Sequence, residues 1–511
     1  MKRVTATNRS ISRFNSLGTI ISPEFFNTAN TFIFVIMRAA LLFLISISCQ
    51  LAFSQQLVQI KYSKPFAIIK FLETTKGVHS TSQTFKHQID TSFISKDSQF
   101  QQLLSEYNSL NLDYNYSKEQ YPEKRKRTTS TWDLLCIAAI ASNTNEEFFD
   151  RIIGVFPNTD YLKLKQIIIK TEAYYDVFIF NSRKPIIDDR VRELSGLSPK
   201  LNDLFDQFKY FYGSSWDKTM PFNLTIYPIF GMRGQTTATP HANSLEMGFL
   251  TQEDDNFGLL SVGAHEMCHV LFEEQPLLLQ RQLDTAYNNN TNPYSKFAYR
   301  YIDEALATAL GNGFGYNYLA GELDSGEWYS DRYINLYAKA IYPLVTNYLT
   351  EKKQMDKVFA LKSIDLFKQT FPNAIYDFDP LLMSCDIYFE DDISKTIDDY
   401  NGMLHNAFRI YSSNMSYPIL DDTSIEHIKT SESPQLIVVH KNQLQVMAKL
   451  KTLFTNLSVI PDQKNMLISF LDKNKRAVII ILGENDAKIK EGIKLLKNQK
   501  EIDPKKLWVG F

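Results

Sequence analysis

His265 and His269 stand four residues apart in the run His265-Glu266-Met267-Cys268-His269. An α-helix turns every ~3.6 residues, so side chains four apart lie one above the other and two imidazoles at this spacing can reach one metal ion. A glutamate directly after the first histidine projects toward the open side of such an ion, where it can move protons for a bound water. The flanks read as helix. Asp255 or Asn256 can cap it, Leu259, Leu260 and Val262 precede the motif, Val270 and Leu271 follow, and Pro276 marks the end. The plain alternative is a helix whose two histidines are ordinary core or surface groups.

At these residues the chain resembles the gluzincins, the zinc peptidases that include thermolysin-like enzymes and a class of aminopeptidases. In that group a second helix carries a glutamate followed by small residues, and Tyr301-Ile302-Asp303-Glu304-Ala305-Leu306-Ala307-Thr308-Ala309-Leu310 looks like that helix. The resemblance implies one Zn2+ held by His265, His269 and Glu304, with Glu266 as the catalytic base. It also implies that Thr308, one turn beyond Glu304, hydrogen-bonds a zinc-bound histidine. Two departures stand out. Asp303 replaces the usual asparagine, and the stretch between His269 and Glu304 is longer than in compact members, which implies an inserted helix and loop at 277–297. Metzincins fit worse, because Phe272 and Gln275 occupy the places of their glycine and third histidine. The resemblance covers roughly residues 222–345.

Gluzincins also pair extended substrate with an edge strand, for which Asn243 to Phe249 is the candidate, beginning at Asn243 and Ser244 with His241 at its head. Their oxyanion donor is usually a tyrosine or histidine downstream of the third ligand. Tyr329, Tyr333, Tyr337 and Tyr342 lie on an apparent helix, and Tyr333 and Tyr337, which share a face, are the candidates. The alternative for both is a place among the core aromatics. His405 is a remoter option.

The elements that must position these groups can be read coarsely. Leu57 to Tyr62 reads as a strand, and helical periodicity follows to about Tyr212. β-formers punctuated by Gly231, Gly234 and Pro240 predict strands at 222–230 and about 244–250, and helical pattern resumes from Asn256 to about residue 412. From Pro434 the order reads βαββαβ, which predicts a small ferredoxin-like domain. The expected fold class is α+β, mostly helical, with a thermolysin-like zincin core of β element plus active-site helix. The expected divisions are residues 1–54 as leader, 55–215 as a helical region, 216–430 as the catalytic domain and 431–511 as the small C-terminal domain.

The leader itself reads as a signal peptide beginning at Met37, with Arg38, an apolar stretch, and Ala52 and Ser54 at signal-peptidase spacing. The residues before Met37 then read as an over-extension. The alternatives are a membrane anchor and lipidation at Cys49, although Ser46 stands where lipidation sites usually carry leucine. Either way the remainder is expected to act outside the cytoplasm, secreted or periplasmic. The odd, widely spaced set Cys136, Cys268 and Cys385 cannot form a disulfide framework.

Lys plus Arg total 55 against 57 Asp plus Glu, a net charge of -2, so no global field gathers nucleic acid. The basic run Lys124 to Arg127 reads as a solvated loop, with a processing site or phosphate patch as its alternatives. The functional expectation is therefore a secreted zinc-dependent peptidase acting on peptide or protein substrates. Its rival is a secreted binding protein that keeps a structural or degenerate metal site. The intact Glu266 argues against that rival, because a purely structural zinc needs no base beside an open coordination position.

Overall fold

The computed structural model describes residues 57–77, 81–115, 130–217, 219–390, 394–440 and 443–511. The signal-like leader from Met37, Cys49 and the basic run at 124–127 lie outside the described residues. Among those described, no helix is long and apolar enough to cross a membrane, and Cys136, Cys268 and Cys385 are free and buried.

The first sheet has the order β1-β2-β4-β3, with β1 at Val58–Lys61, β2 at Phe222–Ile229, β3 at Ala238–His241 and β4 at Ser244–Leu250. β1, β2 and β4 run parallel, and β3 turns back antiparallel along β4. β2 and β4 are buried along their whole length, so both faces of the sheet are covered and the period of two shows in which core each apolar residue joins. Leu224, Ile226, Leu245, Met247 and Phe249 face the core built around helix Asn256–Glu273, whereas Tyr227, Ile229 and Leu250 join the core of the N-terminal helices. Two of those helices matter below: α1 at Lys64–Lys76 and α2 at Thr131–Ala141. Lys70 of α1 reaches Glu246 of β4 at 2.5 Å, and both side chains are almost wholly enclosed.

Helix Asn256–Glu273, α3, packs on the other face of the sheet and carries the His-Glu-Met-Cys-His motif. Asp255 caps it through the Gly258 N–H, as the sequence suggests. A helix at Leu277–Asn288 then fills the long stretch after the motif, and α4 at Ser295–Ala307 returns against α3. α4 does not end there. It continues as a π-helical segment, Thr308–Gly315, that crosses α3 closely, and α5 at Arg332–Thr350 packs beside both.

The C-terminal part departs from expectation. The predicted βαββαβ elements are present, with β7 at Gln435–Val439, β8 at Met466–Leu471, β9 at Ala477–Leu482 and β10 at Trp508–Gly510. They belong, however, to a six-stranded mixed sheet of order β10-β8-β9-β7-β5-β6, which also takes β5 at Ser384–Phe389 and β6 at Ser412–Ser416. A ferredoxin-like arrangement would seat β10 beside β7. Here β5 occupies that edge of β7 in parallel register, and β10 pairs with β8 instead. The expected boundary at 430/431 thus runs through the middle of a sheet. Its apolar residues Ile387, Leu436, Val438 and Ile479 share one core with Ile302 and Leu306 of α4.

Candidate metal centre

The motif helix places His265 and His269 on one side of α3, where their Nε2 atoms lie 3.2 Å apart. Glu304, from the last turns of α4, brings its Oε2 to 3.8 Å from each of them. These three donors lie within 4.8 Å of one another, a group that could hold a metal ion. Glu304 Oε2 is buried and has no hydrogen-bond partner, which leaves its lone pairs turned to the histidine pair. Two nitrogens bound at about 2.0–2.1 Å in tetrahedral geometry would stand roughly 3.3 Å apart, close to the spacing found.

Each imidazole is oriented from behind. His265 Nδ1 faces Asn312 Oδ1 at 2.9 Å, and His269 Nδ1 faces Asp303 Oδ1 at 3.1 Å. With each Nδ1–H donated to its oxygen, the two Nε2 lone pairs point at each other, which requires a proton or a cation between them. Without a metal the proton takes that place. Burial, reinforced by the charge of His269, holds His265 down at about 3. For His269 burial acts in the same direction but is outweighed by Asp303, helped by Glu266 and Glu304, so its value rises to about 10. Glu266 lies half-buried one residue along from His265. Burial is the main force pushing its carboxyl up to about 7; Glu304 and Asp303 push the same way against His269. A carboxyl poised there can both accept and return a proton near neutrality.

No protein-family model, curated protein or solved structure matches this chain.

The other expected site residues fare differently. Thr308 does not orient a histidine: its hydroxyl is buried without a hydrogen-bond partner, and Asp303 and Asn312 take that role. The step from Glu304 to Thr308 is still α-helical, with the Thr308 N–H bonded to the Glu304 carbonyl, and it is Asn312, inside the π-helical segment that begins there, that reaches the His265 ring. Asn312 is among the residues that the sequence-based expectation leaves out. The glycine-interrupted run Leu310-Gly311-Asn312-Gly313 is the signal that marks it.

Tyr333 and Tyr337 are core residues. Tyr333 donates to Asp377 and Tyr337 to the Ser363 carbonyl, and both pack against Phe367. Tyr329, in the loop before α5 and not on it, is the tyrosine at the site. Its ring stacks on His265 at 5.9 Å between centroids and its hydroxyl interacts with Arg409 and Glu304. His405 is an exposed residue of the helix Ser394–Ala407.

Asn243 and Ser244 do not open onto substrate either. Asn243 donates to the Pro221 carbonyl, and Ser244 begins a strand that is paired on both sides. The edge strand beside β4 is β3. The Gly248 N–H donates to the Thr237 carbonyl, so by antiparallel alternation Ala238 and Pro240 turn their backbone groups outward. Proline is compatible with that edge because no partner strand needs its missing N–H. His241 closes β3 and is buried against Asp133 of α2 at 2.8 Å.

Proposed function

We propose that the chain is a zinc-dependent peptidase in which His265, His269 and Glu304 hold the ion and Glu266 is the base. The observation that carries this reading is the convergence of two back-braced imidazole nitrogens and an unpartnered, buried glutamate oxygen beside a carboxyl raised to about 7. The donor set of two nitrogens and one carboxylate oxygen suits zinc with one position left for water. Bound there, zinc would lower the pKa of a coordinated water to about 7 and polarise a substrate carbonyl.

The chain's own groups supply the rest. Glu266 takes the proton of the attacking water and delivers it to the leaving amine, since burial keeps its affinity for that proton close to neutrality. The Tyr329 hydroxyl stands close to Glu304 and donates to the oxygen that gains negative charge. The outward amide and carbonyl of Ala238 on β3 offer main-chain hydrogen bonds to an extended peptide, which favours peptide and protein substrates. The sequence of the leader adds an expectation of export from the cytoplasm.

Metal analysis of the purified protein, together with digestion of a peptide library with and without chelator, tests the reading. Zinc should be present at one per chain, and cleavage should stop on chelation. Glu266→Gln should keep the zinc and lose nearly all cleavage, by roughly 100-fold or more if proton transfer is its role. A chain without metal, or a Glu266→Gln variant of full activity, would refute it.

A further inference from the structure

Glu304 is held on two sides. Its Oε2 faces the histidine pair, while its Oε1 receives Arg409 Nη2 at 3.4 Å. Arg409 comes from 105 residues further along the chain, between the helix Ser394–Ala407 and β6. Its neighbours Phe408 and Ile410 are buried, and the main chain beyond is pinned by Tyr411 and Ser412 amides donating to the Met383 carbonyl at the start of β5. Alternation leaves the Arg409 side chain pointing away from that core, toward α4. Its second amino group approaches Asp331 Oδ2 at 3.8 Å. Asp331 is itself fixed, because its Oδ1 caps α5 through the Tyr333 and Ile334 amides. Tyr329 completes the set through its hydroxyl.

We propose that Arg409 is a positioning residue that holds Glu304 with only one oxygen turned toward the histidines, so that the C-terminal sheet completes the metal centre. This rests on the reading of His265, His269 and Glu304 as metal ligands. A carboxylate with both oxygens free can chelate an ion and fill the position that water needs. One oxygen engaged by a guanidinium leaves a single donor and keeps that position open. The fork of arginine suits the task because two amino groups of one planar guanidinium face two carboxylates, Nη2 toward Glu304 and Nη1 toward Asp331.

The test uses the full chain, its Arg409→Gln and Arg409→Lys variants, and two metals. Zinc affinity is measured by competition with a chromophoric chelator, and coordination is read from the visible absorption of the cobalt-substituted protein. Arg409→Gln should bind zinc roughly tenfold to 100-fold more weakly. Its cobalt spectrum should shift toward higher coordination number. Arg409→Lys should fall between it and the unaltered chain in both readouts. Far-UV circular dichroism checks that each variant is folded, and if Arg409→Gln is not, the lysine variant alone decides. Unaltered zinc affinity together with a superimposable cobalt spectrum in the folded variants would overturn the inference while leaving the peptidase reading standing. An unaltered chain that binds neither metal would overturn both.

Discussion

A β-carbon placed on Gly311 would lie 2.4 Å from the backbone nitrogen of His265 and 2.5 Å from its Cα. The π-helical segment and the motif helix therefore touch backbone to backbone at His265, the first histidine of the motif. The next residue, Asn312, is thereby brought within reach of the His265 ring. Gly311→Ala must push the two helices apart, since the obstructing atoms are main chain and cannot turn aside. Overpacking of this kind costs about 1–3 kcal/mol. The variant should melt lower and bind zinc more weakly; an unchanged midpoint and affinity would show that the crossing is looser than described.

Glu304 and Asp303 are neighbours with different tasks, because successive helical residues point about 100° apart. Glu304 is in the donor group, and Asp303 stands behind His269. Glu304→Gln should therefore lose the most metal affinity. Asp303→Asn and Asn312→Ala, which loosen the bracing of one imidazole each, should lose roughly tenfold to 100-fold. The ordering is checked by zinc titration of the three variants, and it fails if Asp303→Asn strips the metal while Glu304→Gln keeps it.

A chain ending at Ser433 retains every proposed ligand and also Arg409, yet it removes β7, the inner neighbour of β5. Ile387 on β5 would lose the core it shares with Leu436, Val438 and Ile479. Such a truncation is expected to be poorly soluble and to bind zinc weakly or not at all. Recovery of a soluble, zinc-binding fragment would mean that the C-terminal sheet is dispensable.

Asp133 joins the N-terminal helices to the edge strand through His241 at 2.8 Å. Burial alone would raise its pKa, but the bonds from His241 and Ser130 outweigh this and hold it below the usual aspartate range. An acid depressed in the fold contributes stability that is present above its unfolded value and lost as pH falls through its folded value. Asp133→Asn should accordingly lower the melting temperature at pH 6, and the gap from the unaltered chain should narrow on acidification to pH 3. Equal gaps at the two pH values would count against the assignment.

Much of the centre was legible in the sequence because it depends on local helix geometry. The His265-Glu266-His269 spacing fixes three side chains on one helix, and the capping and apolar flanks set that helix between Asp255 and Pro276. Glu304 could be named from its resemblance to a second ligand helix. The elements of the C-terminal part were legible as well, since alternating and helical periodicities are properties of short windows.

What tertiary structure alone decided are the relationships between windows. Pairing of β10 with β8 follows from β5 having taken the edge of β7, a competition that no strand shows by itself. The edge on this side of the sheet fell to the short β3 and not to β4, because β2 claimed the other side of β4. Asn312, and not Thr308, reaches the His265 ring from inside the π-helical segment, where no α-helical count from Glu304 leads to it. Arg409 has no local mark at all: its meaning comes from a core that aims it at a carboxylate 105 residues away. Periodicity is a local consequence of backbone geometry, whereas partner choice depends on which surfaces remain free after the rest of the chain has packed.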